Sequence, residues 1–162
     1  MNKKISDLIK QEEGRMKTVA QNVEGYSSLG VVDLLKKSLN IHWQQTTVLS
    51  AQAVHLERWG YKKLAAVLKS DAEEEHQHAI VNLKRLEFFD VDYQPLVVAP
   101  PVWTRHDMVA MIQYNLNSVR EAAAAERATI SAARAVGDEM TANIMRSEEH
   151  TSELQSRFGI SY

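Results

Sequence analysis

The 162-residue sequence has no cysteine, only three prolines and few aromatic residues. Without cysteine, disulfides and thiolate metal sites are excluded. The sequence also has no signal-peptide core and no long apolar run, so a cytoplasmic protein with no membrane segment is expected. The net charge of −2 indicates no general attraction to nucleic acid. What remains is an alanine-rich chain, long enough for one core, whose composition favours helix.

The few prolines and glycines divide the chain into helical stretches. Apolar residues recur every three or four positions over 31–58, 61–90 and about 104–136, and a further helix is predicted from Glu139. Gly60 and Gly137 mark short turns, whereas all three prolines fall within the irregular stretch 90–105. The pattern predicts an all-α four-helix bundle with a long crossover between helices two and three, so that these two run parallel. An extra helical segment is predicted within residues 1–28.

The second predicted helix carries an acidic, histidine-containing stretch, Asp71 to Ala79. Glu75 and His78 fall on its apolar face, three residues apart, and therefore on adjacent turns. A carboxylate and an imidazole do not stay unpaired in a core, because desolvating a bare charge is costly. A metal ion would hold both, and a solvated acidic face is the alternative.

Two more candidate ligands lie on other helices. His42 falls on the apolar stripe of the first predicted helix, and Glu126 falls on that of the third. Each has a plain structural alternative: His42 as a core histidine with a satisfied hydrogen bond, and Glu126 as the partner of an arginine. The candidate metal ligands are therefore Glu75, His78, His42 and Glu126.

Several short motifs recur along residues 31–145: the Trp59-Gly60 turn with Lys62-Lys63-Leu64, Glu75-x-x-His78-Ala79, Arg85-Leu86-Glu87-Phe88, Met111-Ile112, Asn115-Leu116 and Asp138. Through these motifs the chain resembles the bacterioferritin and ferritin-like family. The best match covers the first helix pair, and residues 107–138 match without gaps.

The resemblance implies a ferritin-like fold and an iron-storage or iron-homeostasis function. Such proteins oxidise Fe(II) at a two-iron site and store the product inside a shell of homo- or hetero-oligomeric subunits. Glu75 and His78 match the second-helix ligands, but the first- and third-helix glutamates fall at His42 and Val119. The resemblance implies non-haem iron as the metal. Because two of the glutamate positions are occupied by other residues, we expect slow or absent ferroxidase activity. Haem is not expected, because the family's haem-ligating methionine falls at His76.

Two other functions are compatible with this resemblance. Val119 and His42, at positions where the family has glutamates, fit a ligand-poor structural subunit of a hetero-oligomeric ferritin shell. The His42-Trp43 pair fits a starvation-type DNA-protecting mini-ferritin, although the crossover length and the Glu75-x-x-His78 pair argue against it.

The end of the chain has an unusual sequence. Residues Arg146 to Ser156 resemble the in-frame translation of a common sequencing-library adapter at all eleven positions. We therefore expect three parts: an N-terminal extension (1–28), a ferritin-like bundle (29–145) and a non-native tail (146–162) that completes a truncated, frayed fourth helix. The family's fourth-helix ligands would then fall at Ser152 and Gln155. Alternatively the tail is genuine, because Glu148, Glu149 and His150 resemble a metal-binding helix.

Overall fold

Four long helices make up the part of the chain that can be described. A computed structural model describes residues 30–93, 101 and 103–158, with side chains as far as residue 149. The elements are α1 (Val31–Arg58), α2 (Lys62–Phe88), a 3-10 turn (Arg105–Asp107), α3 (Met108–Ala135) and α4 (Glu139–Phe158). Every element within these ranges is helical, which confirms the all-α prediction. The predicted N-terminal segment 1–28 lies outside the described residues.

Glycines end the first and third helices as the sequence predicts. Gly60 has φ +91° and Gly137 has φ +77°, in the left-handed region that glycine adopts without a steric cost. After α1, the amide of Tyr61 donates to the carbonyl of Leu56, and after α3 the amide of Asp138 donates to that of Ala133. These bonds satisfy the last carbonyls of each helix and turn the chain back.

Contacts between helices show the direction of each one. Moving towards the start of α1, the contacting residues of α3 lie further along the chain, so α1 and α3 are antiparallel. The contacts between α2 and α4 follow the same order, so these two helices are antiparallel as well. The pairs are Gln52–Asn115, Lys37–Glu121, Arg85–Asp138 and His78–Glu148. Since α1 and α2 are joined by a tight turn and are antiparallel, α2 and α3 run in the same direction. The long crossover is what allows this, as the sequence predicts.

The core of the described residues consists of three apolar clusters. The largest contains Leu35, Leu39, Ala79, Leu86, Ile130, Ala133, Ala142 and Met145, the second contains Leu49, Ala53, Leu56, Ala65, Leu68, Ala72 and Met111, and the smallest contains Ile41, Ala122 and Ala125. His42 lies between Leu39 and Leu49 on α1. The level of the bundle that contains His42 therefore has apolar side chains on both sides along the bundle axis. A polar layer therefore lies between apolar layers in the middle of the bundle. In the described residues no helix is both long and apolar enough to cross a membrane.

Candidate metal centre

The polar layer is built first from α1 and α2. His42, Glu75 and His78 are all buried, and one donor atom from each lies within 4.8 Å of the others. The Nδ1 of His42 donates to Glu75 Oε2 at 2.7 Å, and the Nδ1 of His78 lies 4.0 Å from the same oxygen. Helical periodicity accounts for this arrangement, because Glu75 and His78 are one turn apart on the face that packs against α1.

The other two helices each add a carboxylate. Glu126 of α3 places Oε1 3.2 Å from His42 Nε2, and Glu148 of α4 places Oε2 3.7 Å from His78 Nε2. Each imidazole thus has Glu75 on its Nδ1 side and a second carboxylate on its Nε2 side. We call these five residues the candidate metal centre, or the centre; the three whose donor atoms lie within 4.8 Å of one another are His42, Glu75 and His78.

The donor atoms of the metal centre fit a cation. The Nδ1 of His78 and the Oε2 of Glu148 are buried and make no hydrogen bond within the described residues. Buried polar atoms are almost always satisfied, so these two atoms have capacity left to bind a cation. Imidazole nitrogens and carboxylate oxygens together suit iron and zinc-like divalent ions, and no thiolate competes.

A sequence model of the ferritin-like domain matches residues 32–155. The chain belongs to the ferritin-like family. Among curated proteins, no match to the chain is found. The resemblance found in the sequence is confirmed at the level of this family, and the bacterioferritin subtype stays a prediction.

The structure brings three of the four predicted ligands of this ferritin-like chain into one group, and it places the fourth, Glu126, against His42. Glu75, His78 and His42 meet at the interface of α1 and α2, and Glu126 is fully buried beside His42. Glu126 lies seven residues beyond Val119, two turns along α3, so the sequence did not show that it reaches the same centre. His76 is half-buried and packs against the Trp43 ring at 5.4 Å, outside the centre.

The sequence named Glu148 only as part of an alternative metal-binding helix and did not assign it to the centre of the ferritin-like bundle. The expected fourth-helix positions were Ser152 and Gln155, whose side chains are outside the described residues. Glu148 comes one turn before Ser152, and that turn places it beside His78. The sequence did contain a signal for Glu148. Ala142 and Met145 are buried and three residues apart, and the same spacing places Glu148 on that buried face.

Mutual electrostatics set the protonation of the centre. Burial by itself lowers the pKa of His42, but hydrogen bonds and charge from Glu126 and Glu75 outweigh it and raise the pKa to about 10. Burial, then the positive charge of His42, lowers the pKa of His78, and these two effects outweigh Glu75 and Glu74, which act to raise it. Burial, then the charge of Glu126, raises the pKa of Glu148 to about 7. At neutral pH a buried imidazolium therefore partly neutralises the carboxylates that would otherwise hold a cation.

Proposed function

We propose that this ferritin-like chain handles iron, binding Fe(II) at the metal centre and contributing to iron storage or homeostasis as a bacterioferritin-like protein. The observation that carries the proposal is the buried group of His42, Glu75 and His78, with donor atoms within 4.8 Å of one another. Burying two imidazoles against a carboxylate is costly unless each is paired, and a divalent cation pairs all three at once.

The donor set suits the chemistry of iron in both oxidation states. Imidazole nitrogen binds Fe(II) readily, and carboxylate oxygen stabilises the harder Fe(III). Oxidation of each Fe(II) passes one electron to dioxygen or peroxide, which are the oxidants the family uses. The role of this chain is to exclude water, bind the ion through Glu75 and His78, and yield the proton that His42 holds.

An opening near the centre supports entry of the substrate ion. Glu148 also lines a groove of about 530 Å³ between α2 and α4, together with Val81, Arg85 and Ile144. Glu148 is thus in contact with both the groove and the centre, and its side chain is 13% exposed. Lys84 and Arg85 line the same groove, so the attraction of Glu148 for a cation acts only close to His78.

Anaerobic titration with Fe(II), followed by addition of oxygen in a stopped-flow instrument, tests the proposal. We expect Fe(II) to bind, and to oxidise slowly, because Val119 supplies no ligand from α3 at the family's position. Glu75→Ala should abolish binding. Glu73→Ala is the matched control, because Glu73 is an exposed acid on the same helix that accepts a hydrogen bond from Gln77 at 3.0 Å.

The outcomes separate binding from oxidation. No Fe(II) binding to the unmodified chain, or equal binding by Glu75→Ala, would contradict the proposed function. Rapid oxidation at two irons per chain that is lost in Glu75→Ala would keep the function and overturn the expectation of slow turnover.

A structural subunit of a hetero-oligomeric ferritin shell is the second candidate. It is favoured by Val119 and by large exposed apolar side chains on the bundle surface, among them Val109 at 81% and Phe88 at 70%. Such side chains suit burial against neighbouring subunits. Native mass spectrometry of complexes purified from the source tests this: a homopolymer with full ferroxidase activity would exclude it, and a mixed shell with an active partner would support it.

A further inference from the structure

Gln45 is a buried amide between the candidate metal centre and α3. It lies on α1, one turn after His42, and is 3% exposed. Its amide is satisfied in one orientation, in which the nitrogen donates to Glu75 Oε2 at 2.8 Å. The oxygen then accepts from the hydroxyl of Ser118 and from the backbone N–H of Val119, both at 3.2 Å. The reversed amide would set an oxygen against the Glu75 carboxylate, and two acceptors form no bond, so the surroundings fix the direction of the Gln45 N–H.

The hydrogen bond from Gln45 orients Glu75 without competing with a metal for it. A carboxylate has about four lone-pair sites, so one that accepts an amide bond keeps others for a cation. Two donors reach Glu75 Oε2, the amide of Gln45 and the Nδ1 of His42, which is 2.7 Å away. An imidazole nitrogen that binds a metal no longer donates, whereas an amide N–H does not ionise. The bond from Gln45 is therefore the one that does not depend on how His42 binds metal.

Through Gln45, α3 also contributes to the position of Glu75. At Val119 this helix offers an apolar side chain where the resemblance places a glutamate, but its backbone and Ser118 hold the oxygen of Gln45. Glu75 lies on α2 and Gln45 on α1, so one amide ties three helices together at the carboxylate. A side chain that is already held in one orientation loses less conformational entropy when it binds a ligand.

We propose that Gln45 is a positioning residue, which holds the Glu75 carboxylate in the orientation that binds a divalent cation. Gln45 acts through Glu75 and is not itself a ligand. This inference rests on the proposed function, because it assumes that the centre binds metal.

Titration of the full chain with Co²⁺, by calorimetry and by visible absorption, measures both the affinity and the coordination of the ion. Gln45→Met keeps the length of the side chain but removes the amide. We expect its Co²⁺ affinity to be roughly 10- to 100-fold lower than that of the unmodified chain, the usual effect of removing a group that orients a ligand. The Co²⁺ absorption bands should also change, because the carboxylate is no longer held in one orientation.

Gln52→Met is the matched control. Gln52 is a fully buried glutamine two turns further along α1, and it exchanges hydrogen bonds with Asn115 at 3.0 and 2.7 Å. Its replacement should lower the free energy of unfolding in urea and leave the Co²⁺ affinity and spectrum unchanged. A buried amide with a purely structural role behaves like Gln52, so the comparison separates positioning from packing.

Ser118→Ala provides a second variant, at a half-buried position on α3. It removes one of the two donors that hold the Gln45 oxygen, and the backbone N–H of Val119 keeps the other. We expect a loss of Co²⁺ affinity that is smaller than in Gln45→Met. If Gln45→Met does not fold, as judged by circular dichroism, Ser118→Ala decides: a lower affinity with a changed spectrum supports the role of Gln45, and an unchanged affinity and spectrum refute it.

The remaining results are distinguishable. A Gln45→Met chain that folds and binds Co²⁺ with the affinity and spectrum of the unmodified chain would overturn the positioning role and leave the proposed function standing. The same holds if Gln52→Met changes the affinity and spectrum as much as Gln45→Met does. No Co²⁺ binding by the unmodified chain would overturn both.

Discussion

Asp138 holds the start of the helix that carries Glu148. Its Oδ1 accepts from the backbone N–H of Thr141 at 3.0 Å, and its Oδ2 accepts from the Thr141 hydroxyl. Arg85 Nη2 donates to both oxygens, at 2.9 and 3.2 Å, and Arg85 Nε donates to Thr141 Oγ1 at 2.6 Å. One carboxylate thus caps α4 and ties it to α2. We predict that Asp138→Ala lowers the free energy of unfolding by about 3–4 kcal/mol.

The magnitude follows from two losses. Removing an N-cap side chain costs about 1 kcal/mol. Removing one partner of a buried ion pair costs about 3–5 kcal/mol, because the other charge is left unpaired. The Asp138 side chain is 18% exposed and Arg85 keeps its bond to Thr141 Oγ1, so the ion-pair loss falls to about 2–3 kcal/mol and the two losses together give about 3–4 kcal/mol.

The effect has a defined pH dependence. Burial acts to raise the pKa of Asp138, but hydrogen bonds from Thr141 and Arg85 outweigh it and hold the pKa below its usual value. A carboxyl with a lowered folded-state pKa contributes its full stabilisation above its unfolded pKa of about 3.9. That contribution is lost as the pH falls through the folded-state pKa. The difference between Asp138→Ala and the unmodified chain should therefore be constant near neutral pH and shrink in acid.

Urea unfolding followed by circular dichroism measures these differences. Asp107→Ala is the matched control, because Asp107 caps the 3-10 turn before α3 through Thr104 alone, at an exposed position. It should cost about 1 kcal/mol. A cost for Asp138→Ala no larger than that of Asp107→Ala would refute the ion-pair reasoning. A double variant with Arg85→Met should cost less than the two single changes together.

Three further outcomes are expected. Glu126→Gln should lower the pKa of His42, because the hydrogen bond to Glu126 is the largest of the effects that raise this pKa against burial. An unchanged NMR titration of the imidazole would contradict this. Co²⁺ affinity should rise as the pH passes about 7, the raised pKa of Glu148, and should rise less in Glu148→Gln; equal pH slopes in calorimetry would exclude Glu148 as a ligand. Gln52→Leu should cost about 1–3 kcal/mol in urea unfolding, because the reciprocal amide pair with Asn115 is broken; a fully additive Asn115→Leu double variant would show that the pair is not coupled.

The tail of the chain forms part of a helix, although its sequence resembles a translated adapter. Residues 146–158 continue α4 without a break, and the ferritin-like match extends to residue 155. The non-native origin of residues 146–162 stays a prediction. The contact between Glu148 and His78 depends on the register of α4, which Asp138 and Arg85 hold from the other end of the helix. Resequencing the source DNA across the Met145 codon, with primers that carry no adapter, tests the origin.

The helices and their ends follow from local sequence. The spacing of apolar residues marks the buried faces, and the left-handed conformations at Gly60 and Gly137 end two helices where no side chain is needed. The same periodicity places Glu75 and His78 on one buried face, because residues three apart on a helix are neighbours whatever surrounds them. His42 follows for the same reason, as a polar residue within an apolar stripe.

Contacts between helices are decided only by packing. Whether Glu126 or Val119 reaches His42 depends on how far α3 slides along α1, and a helix of the same pattern can pack in more than one register. The amide of Gln45 is another example: nothing local to α1 shows that it bonds to Glu75 on α2 and to the backbone of α3. The intrahelical period thus identifies the ligands on each helix, whereas the interhelical register determines which of them share a centre and with what charge.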